Sequence, residues 1–257
     1  MPELLVWIYS SPSNTKRRSM VRETWANPKP YLPISTKVVF SLATAQNVNV
    51  QKAIDNEQLQ YQDIIQDGSF IDNYKNLTYK ARSMLRWTEE FCGQVKLLFK
   101  TDDDSLILPI RLAKWMSQSF QVGNAWPTNS ILGEVWENPP VYRQGRYSVS
   151  IDELAEKTYA PKACAGSGYF ITGDSLPLLV AAINEVDFLW LEDMYTTGRL
   201  AKHAGLQHIP INKHHIHVYG GNATLTELKK EDRSVFIVGQ IPDSQLPKIW
   251  MELRNLK

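Results

Sequence analysis

Val95-Lys96-Leu97-Leu98-Phe99-Lys100-Thr101-Asp102-Asp103-Asp104 sets an apolar run directly against three consecutive carboxylates. The run reads as a buried strand, which puts the triplet where that strand meets its exit loop. In an extended chain Asp102 and Asp104 project to one side and Asp103 to the other. Two carboxylates on one side can share a hard divalent cation that prefers oxygen ligands. Such an ion at a strand end is a seat for a diphosphate. A solvated acidic turn is the bland alternative, and the other motifs weigh against it.

The chain has 257 residues, 43% of them hydrophobic, within the range of one large α/β domain with a sizeable core. Twenty-eight basic side chains against 27 acidic ones leave a net charge of +1, so no global field points to nucleic acid or an anionic membrane. Recognition of phosphate would have to be local. The apolar runs at residues 4–9 and 176–183 are far short of a membrane span, and residues 1–10 lack the pattern of a signal peptide. The chain is expected to be soluble as it stands, with no membrane anchor in it. An upstream targeting segment is left open.

Strand-like runs at residues 4–10, 37–42, 95–100, 130–136 and 168–172 alternate with helical patterns at 16–25, 74–91, 109–118, 176–185 and 192–204, the last closed by Gly205. That alternation predicts an α/β fold, a single unit over residues 1–257 with no linker in sight. Residues 138–162, with Pro139-Pro140, read as a long loop over an open edge of the sheet.

Arg18 and Arg22 are four residues apart on one helix face just after the first strand, where they could clamp phosphate oxygens or simply be solvated. Glu192-Asp193 opens a late helix, a position that suits the helix dipole and equally a general base for an acceptor hydroxyl. Gly166-Ser167-Gly168 precedes its expected strand, so the dinucleotide fingerprint does not fit. Close backbone packing beside a substrate, or a tight turn, explains these glycines better.

In order along the chain, residues 18–25, Asp72-Asn73-Tyr74-Lys75-Asn76-Leu77-Thr78-Tyr79-Lys80, Lys100-Thr101-Asp102-Asp103-Asp104, Cys164-Ala165-Gly166-Ser167-Gly168-Tyr169 and Glu192-Asp193-Met194-Tyr195-Thr196-Thr197-Gly198 resemble glycosyltransferase family 31. That family holds the β-1,3-galactosyltransferases and N-acetylglucosaminyltransferases. The resemblance implies a GT-A nucleotide-sugar-binding fold, one mixed sheet flanked by helices, and inverting transfer of a hexose from a UDP-sugar to a glycan acceptor. It assigns the metal, Mn2+, to Asp104 with Asp102, and places Asp102 and Asp103, with Arg18 and Arg22, around the donor. Asp193 inherits the general base, with Glu192 next in line. Family members are usually Golgi proteins with an N-terminal anchor.

One family feature is missing. A late-strand metal-binding His falls at Gly239 in Val235-Phe236-Ile237-Val238-Gly239-Gln240, so the metal site is expected to be incomplete unless His214, His215 and His217 substitute. A binding module without turnover is therefore a rival reading, and a metal-dependent phosphohydrolase a weaker one. Maturation in a secretory compartment would favour a Cys92–Cys164 disulfide and glycosylation of Asn222 over Asn76.

Overall fold

The first strand, β1 (Leu4–Tyr9), is buried along its whole length and faces two cores in alternation. Leu4, Val6 and Ile8 pack with Phe40, Leu97 and Phe99, whereas Leu5, Trp7 and Tyr9 pack with Val39, Leu98 and Tyr169. A strand covered on both faces reads as a continuous apolar run, and each such side chain contributes about 1.5–3 kcal/mol of burial. The computed structural model describes residues 2–121, 126–156, 158, 160–211, 216–217 and 235–254.

After β1 come α1 (Thr15–Glu23), β2 (Thr36–Thr44), α2 (Val48–Tyr61), β3 (Ile64–Ile71), α3 (Leu77–Cys92) and β4 (Leu97–Asp102). These four strands are parallel. Then follow β5 (Leu106–Ile107), α4 (Pro109–Met116), β6 (Ser130–Trp136), β7 (Ala163–Thr172) and α5 (Leu176–Ala182). A π-helical segment, Met194–Leu200, continues as α6 (Ala201–His203), and β8 (Gln207–Pro210), β9 (Ile216–His217), β10 (Ile237–Val238) and α7 (Leu246–Leu253) complete the described elements.

The main sheet has the order β3-β2-β1-β4-β7-β6-β8, with β7 antiparallel to both neighbours. It is the mixed sheet flanked by helices that the sequence predicts. The chain steps outward from β1 to β2 to β3, then α3 returns it to the other side of β1 as β4. The carboxyl ends of β1 and β4 therefore flank a topological switch point, where open α/β sheets form their ligand crevice. Tyr9 and Asp102 are register partners at that crevice. A second sheet, β5-β10-β9, is closed by Leu108 N–H to Phe236 O at 2.9 Å and ties the late segment to the loop after the triplet.

Several expectations are corrected. The helix α2 and the strand β3 escaped the sequence reading because α2 buries only Ile54 and Glu57, and β3 is an edge strand carrying Gln66, Asp67 and Gly68. Strand β7 begins at Ala163, so Gly166 and Gly168 lie inside it and form no turn before it. Residues 138–162 are anchored to the core as well as exposed. Val149, Leu154 and Ala160 pack with Trp190, Met194 and Tyr195 beside the π-helical segment.

Cys92 and Cys164 are free thiols. Cys92 ends α3 next to Val95, near the start of β4, and β4 pairs there with the Thr172 end of β7. Cys164 lies eight residues up that strand, at about 3.3 Å per residue, too far for a bridge. Asn76 spends its side-chain amide on Ile71 O at 2.8 Å, and Asn222, His214 and His215 lie outside the described residues. Among the described residues no helix is long and apolar enough to cross a membrane.

Candidate functional site

The triplet splits as the strand geometry requires. Asp103 turns inward, with its N–H on Tyr9 O at 3.0 Å and its Oδ2 accepting from Ser10 Oγ at 2.7 Å and Asn14 Nδ2 at 2.9 Å. It fastens the loop after β1 to the loop after β4, and burial raises its pKa despite those donors. Asp102 and Asp104 stay half-buried on the other side. Asp102 Oδ1 accepts from Lys100 Nζ at 2.9 Å. The Asp104 carboxylate has no side-chain or backbone donor among the described residues, and burial together with Asp102 and Asp103 raises its pKa to about 6.

Lys100 is 2% exposed and holds the centre of the site. Its ammonium also donates to Gly166 O at 2.7 Å, lies 3.5 Å from Glu192 Oε2 and sits 4.6 Å above the Tyr9 ring. Burial works to deprotonate it, but Asp102 and Glu192 outweigh that and raise its pKa. Glu192 faces inward, accepting from Tyr169 Oη at 2.5 Å and Thr196 Oγ1 at 3.3 Å. Its oxygens are engaged by Tyr169, Thr196 and Lys100. Asp193 Oδ1 accepts from the Met194 N–H at 2.8 Å, and Oδ2 has no donor among the described residues. Burial raises the pKa of Asp193, against the pull of the Met194 N–H and Lys100. A carboxylate so placed holds a proton more readily than an exposed one.

The arginine pair does not join this group. Arg18 is fully buried and grips Glu57 through Nε at 2.7 Å and Nη2 at 2.6 Å. Its remaining N–H groups reach Ser10 Oγ, Ser11 O, Pro12 O and Thr15 Oγ1. Arg22 makes a bidentate pair with Asp63, both bonds 2.8 Å, and a third bond to Glu57 at 2.7 Å. Both guanidinium groups are committed to carboxylates, so the expected phosphate clamp is corrected to a brace for the β1–α1 loop. A second brace runs from the family-like motif at residues 72–80. Lys80 Nζ, also buried, bonds Ser10 O at 2.6 Å and Asp72 Oδ2 at 2.7 Å.

Gly239 is buried beside the triplet, between Val238, which pairs with Leu106, and Ile241, whose N–H donates to Asp104 O at 2.8 Å. The late segment thus reaches the loop of the triplet and offers no side chain there at Gly239. Among the described residues no three of His, Cys, Asp and Glu converge as a complete metal cage. Sequence reasoning assigned no role to Lys100. The available signal was a lysine inside a strand buried on both faces, which requires a carboxylate partner.

A family model described as Galactosyltransferase matches residues 16–212, which spans the crevice, the triplet and the Glu192-Asp193 pair. The chain belongs to that family. Its relatives include the human protein "Beta-1,3-galactosyltransferase 9", 28% identical over 99% of this chain and 66% of its own length. A zebrafish (Danio rerio) "Lactosylceramide 1,3-N-acetyl-beta-D-glucosaminyltransferase A" is 30% identical over 75% of this chain and 52% of its own. The mouse (Mus musculus) "UDP-GalNAc:beta-1,3-N-acetylgalactosaminyltransferase 1" is 30% identical over 76% and 58%. The chain thus spans between about half and two thirds of the length of these galactosyltransferase-family relatives. Among solved structures, "WbbM bifunctional glycosytransferase" superposes with a TM-score of 0.50 at 5% identity, over 99% of this chain and 50% of that one. The GT-A-type fold expected for the family is the fold observed.

Proposed function

We propose that the protein is an inverting, metal-dependent β-1,3-glycosyltransferase that moves a hexose from a UDP-sugar to a glycan hydroxyl. The observation that carries this is Asp193 Oδ2, an unclaimed carboxylate oxygen held by the same lysine network as the triplet. In this reading Asp193 accepts the proton of the acceptor hydroxyl as that oxygen attacks the anomeric carbon, and the bond to UDP breaks on the opposite face. One base suffices for a single displacement with inversion. A retaining route needs a nucleophile as well, and Glu192 is taken up by Tyr169, Thr196 and Lys100.

The donor set fits a hard divalent ion such as Mn2+. Asp104 has no protein donor and Asp102 keeps Oδ2 free, so these two carboxylates would hold the ion, with other ligands supplied from outside the protein. Bound there, the ion would supply positive charge to the leaving diphosphate. Asp103 and Arg18 act indirectly, by fixing the loop at residues 10–14 that forms the other wall of the crevice. The acceptor is read as a glycan on a glycoprotein or glycolipid, and the location as the Golgi.

The test is a panel of UDP-hexoses against galactose- and N-acetylglucosamine-terminated acceptors with Mn2+, followed by NMR of the product. A β-1,3 product from an α-linked donor is the expected result, and an α-linked product would overturn the single-displacement mechanism. Gly239 favours a second reading, a nucleotide-sugar-binding module without turnover. Donor binding with no UDP release in the presence of any acceptor would select it.

A further inference from the structure

Lys100 is buried further than a strand-end counter-ion needs to be, and it engages three separate elements. Its ammonium donates to Asp102 Oδ1 at the end of β4 and to Gly166 O in β7, and it forms an ion pair at 3.5 Å with Glu192 Oε2 just before the π-helical segment. The Tyr9 and Tyr169 rings stand around it at 4.6 and 5.8 Å, so water does not compete for these partners. A purely local counter-ion would be satisfied by Asp102 alone.

The second partner gives the bridge its consequence. Gly166 is the residue on which the Asp193 carboxylate rests, for a Cβ there would stand 3.0 Å from Asp193 Oδ2. The third partner, Glu192, is the chain neighbour of Asp193. One ammonium group therefore pulls on the surface behind the carboxylate and on the residue before it, and its remaining bond holds the donor-side Asp102. We infer that Lys100 is a positioning residue that joins the two halves of the reaction centre, setting the Asp193 carboxylate relative to the donor-side carboxylates through Gly166 and Glu192. This rests on the transfer reading given above.

Two features separate it from simple structural filling. The cation lies beside the carboxylates that would hold a metal ion, so removing it makes that place more negative and cannot weaken cation binding there through charge. It should, however, release Gly166 and Glu192. Binding and turnover are thus expected to respond in different directions, whereas a general loss of structure lowers both.

The experiment compares Lys100→Met, which keeps an unbranched side chain one atom shorter and without the charge, with Lys100→Arg, which keeps a cation of different reach. For each, kcat and donor KM are measured, and UDP is titrated calorimetrically in the presence of Mn2+. Lys100→Met should lower kcat by about 100-fold, the scale of a misplaced reacting group, while UDP binds as tightly as to the wild type or more tightly. Lys100→Arg should fall between the two in kcat and keep UDP affinity. A folded Lys100→Met protein with wild-type kcat overturns the inference, as does a parallel loss of UDP affinity and kcat. If Lys100→Met does not fold, Lys100→Arg decides: reduced kcat with retained affinity supports the bridge, and unchanged kcat sinks it. A wild-type protein that transfers no sugar overturns the reading of the site itself, and the inference with it. Wild-type transfer that Lys100→Met matches overturns the inference alone.

Discussion

The Asp193 carboxylate lies against Gly166, so close that an added Cβ would meet Asp193 Oδ2 at 3.0 Å and Asp193 Cβ at 3.3 Å. The glycine is favoured here by proximity, since an added Cβ would make Asp193 give way by a few tenths of an ångström, and not by an unusual backbone angle. Gly166→Ala should leave the β4–β7–β6 pairing intact but displace Asp193, lowering kcat by about 100-fold. Asp193→Asn, which keeps the shape and removes the basic oxygen, should lower kcat by about 10²–10⁴-fold. In both variants calorimetric titration should find UDP affinity close to wild type. Turnover of Asp193→Asn near the wild-type rate would place the base elsewhere.

Asp104 carries a stability penalty, and the proposed function gives it a binding role. Its folded-state pKa of about 6 stands above the ordinary value of 3.8, so the folded protein holds this proton more tightly than the unfolded chain does. The neutral form's contribution is complete below about pH 4 and lost as pH rises through about 6. Without divalent metal, Asp104→Asn should melt like the wild type at acid pH and above it at neutral pH. Adding Mn2+ with UDP should stabilise the wild type and not the variant. Melting curves at the two pH values, with and without ligand, check both halves. Equal melting temperatures at neutral pH would show that the carboxylate is not destabilised.

Arg18 and Glu57 form a nearly fully buried ion pair, and Arg18 also collects Ser10 Oγ and Ser11 O. Removing one partner strands the other. Arg18→Ala should lose about 3–5 kcal/mol in denaturant unfolding, whereas Arg22→Ala, whose guanidinium stays partly exposed and stacked on Tyr61, should lose less. A direct phosphate role would give the opposite pattern, with unchanged unfolding and weakened UDP binding.

Both thiols should be available to an alkylating reagent when the protein is unfolded without reductant, since Cys92 and Cys164 lie toward opposite ends of the β4–β7 ladder. Mass spectrometry of the non-reduced protein should show two modified cysteines. Before unfolding, Cys164 should react far more slowly, because burial raises its pKa to about 12 and little thiolate forms.

The parts of this fold that were legible in the sequence are those whose side chains report their surroundings. Leu4–Tyr9 and the run into Asp102 announce strands because both faces are apolar, and α3 shows its buried Ala81, Met84, Leu85 and Thr88 at helical spacing. The α2–β3 unit stayed hidden because it lies at the sheet edge, where few positions are buried and the pattern has little to record. In the site, the split of the triplet followed from strand alternation. The commitment of Arg18 did not, because its partner Glu57 is 39 residues away on an unrecognised helix. Lys100 was visible as a letter but not as a hub, since its partners come from β7 and from the segment before α6.

Arg143 binds the carbonyls of Val149, Ser150, Leu154 and Glu156, and Arg199 reaches Glu153 O from the π-helical segment. The long loop between β6 and β7 is thereby given a fixed backbone by a side chain inside it, without depending on its outward residues. Tyr142 and Tyr147 project from that frame, more than two fifths exposed, on the side that Tyr74 shares through Arg146. The arrangement separates frame from display: the side chains that face outward can be exchanged while the backbone beneath them stays fixed.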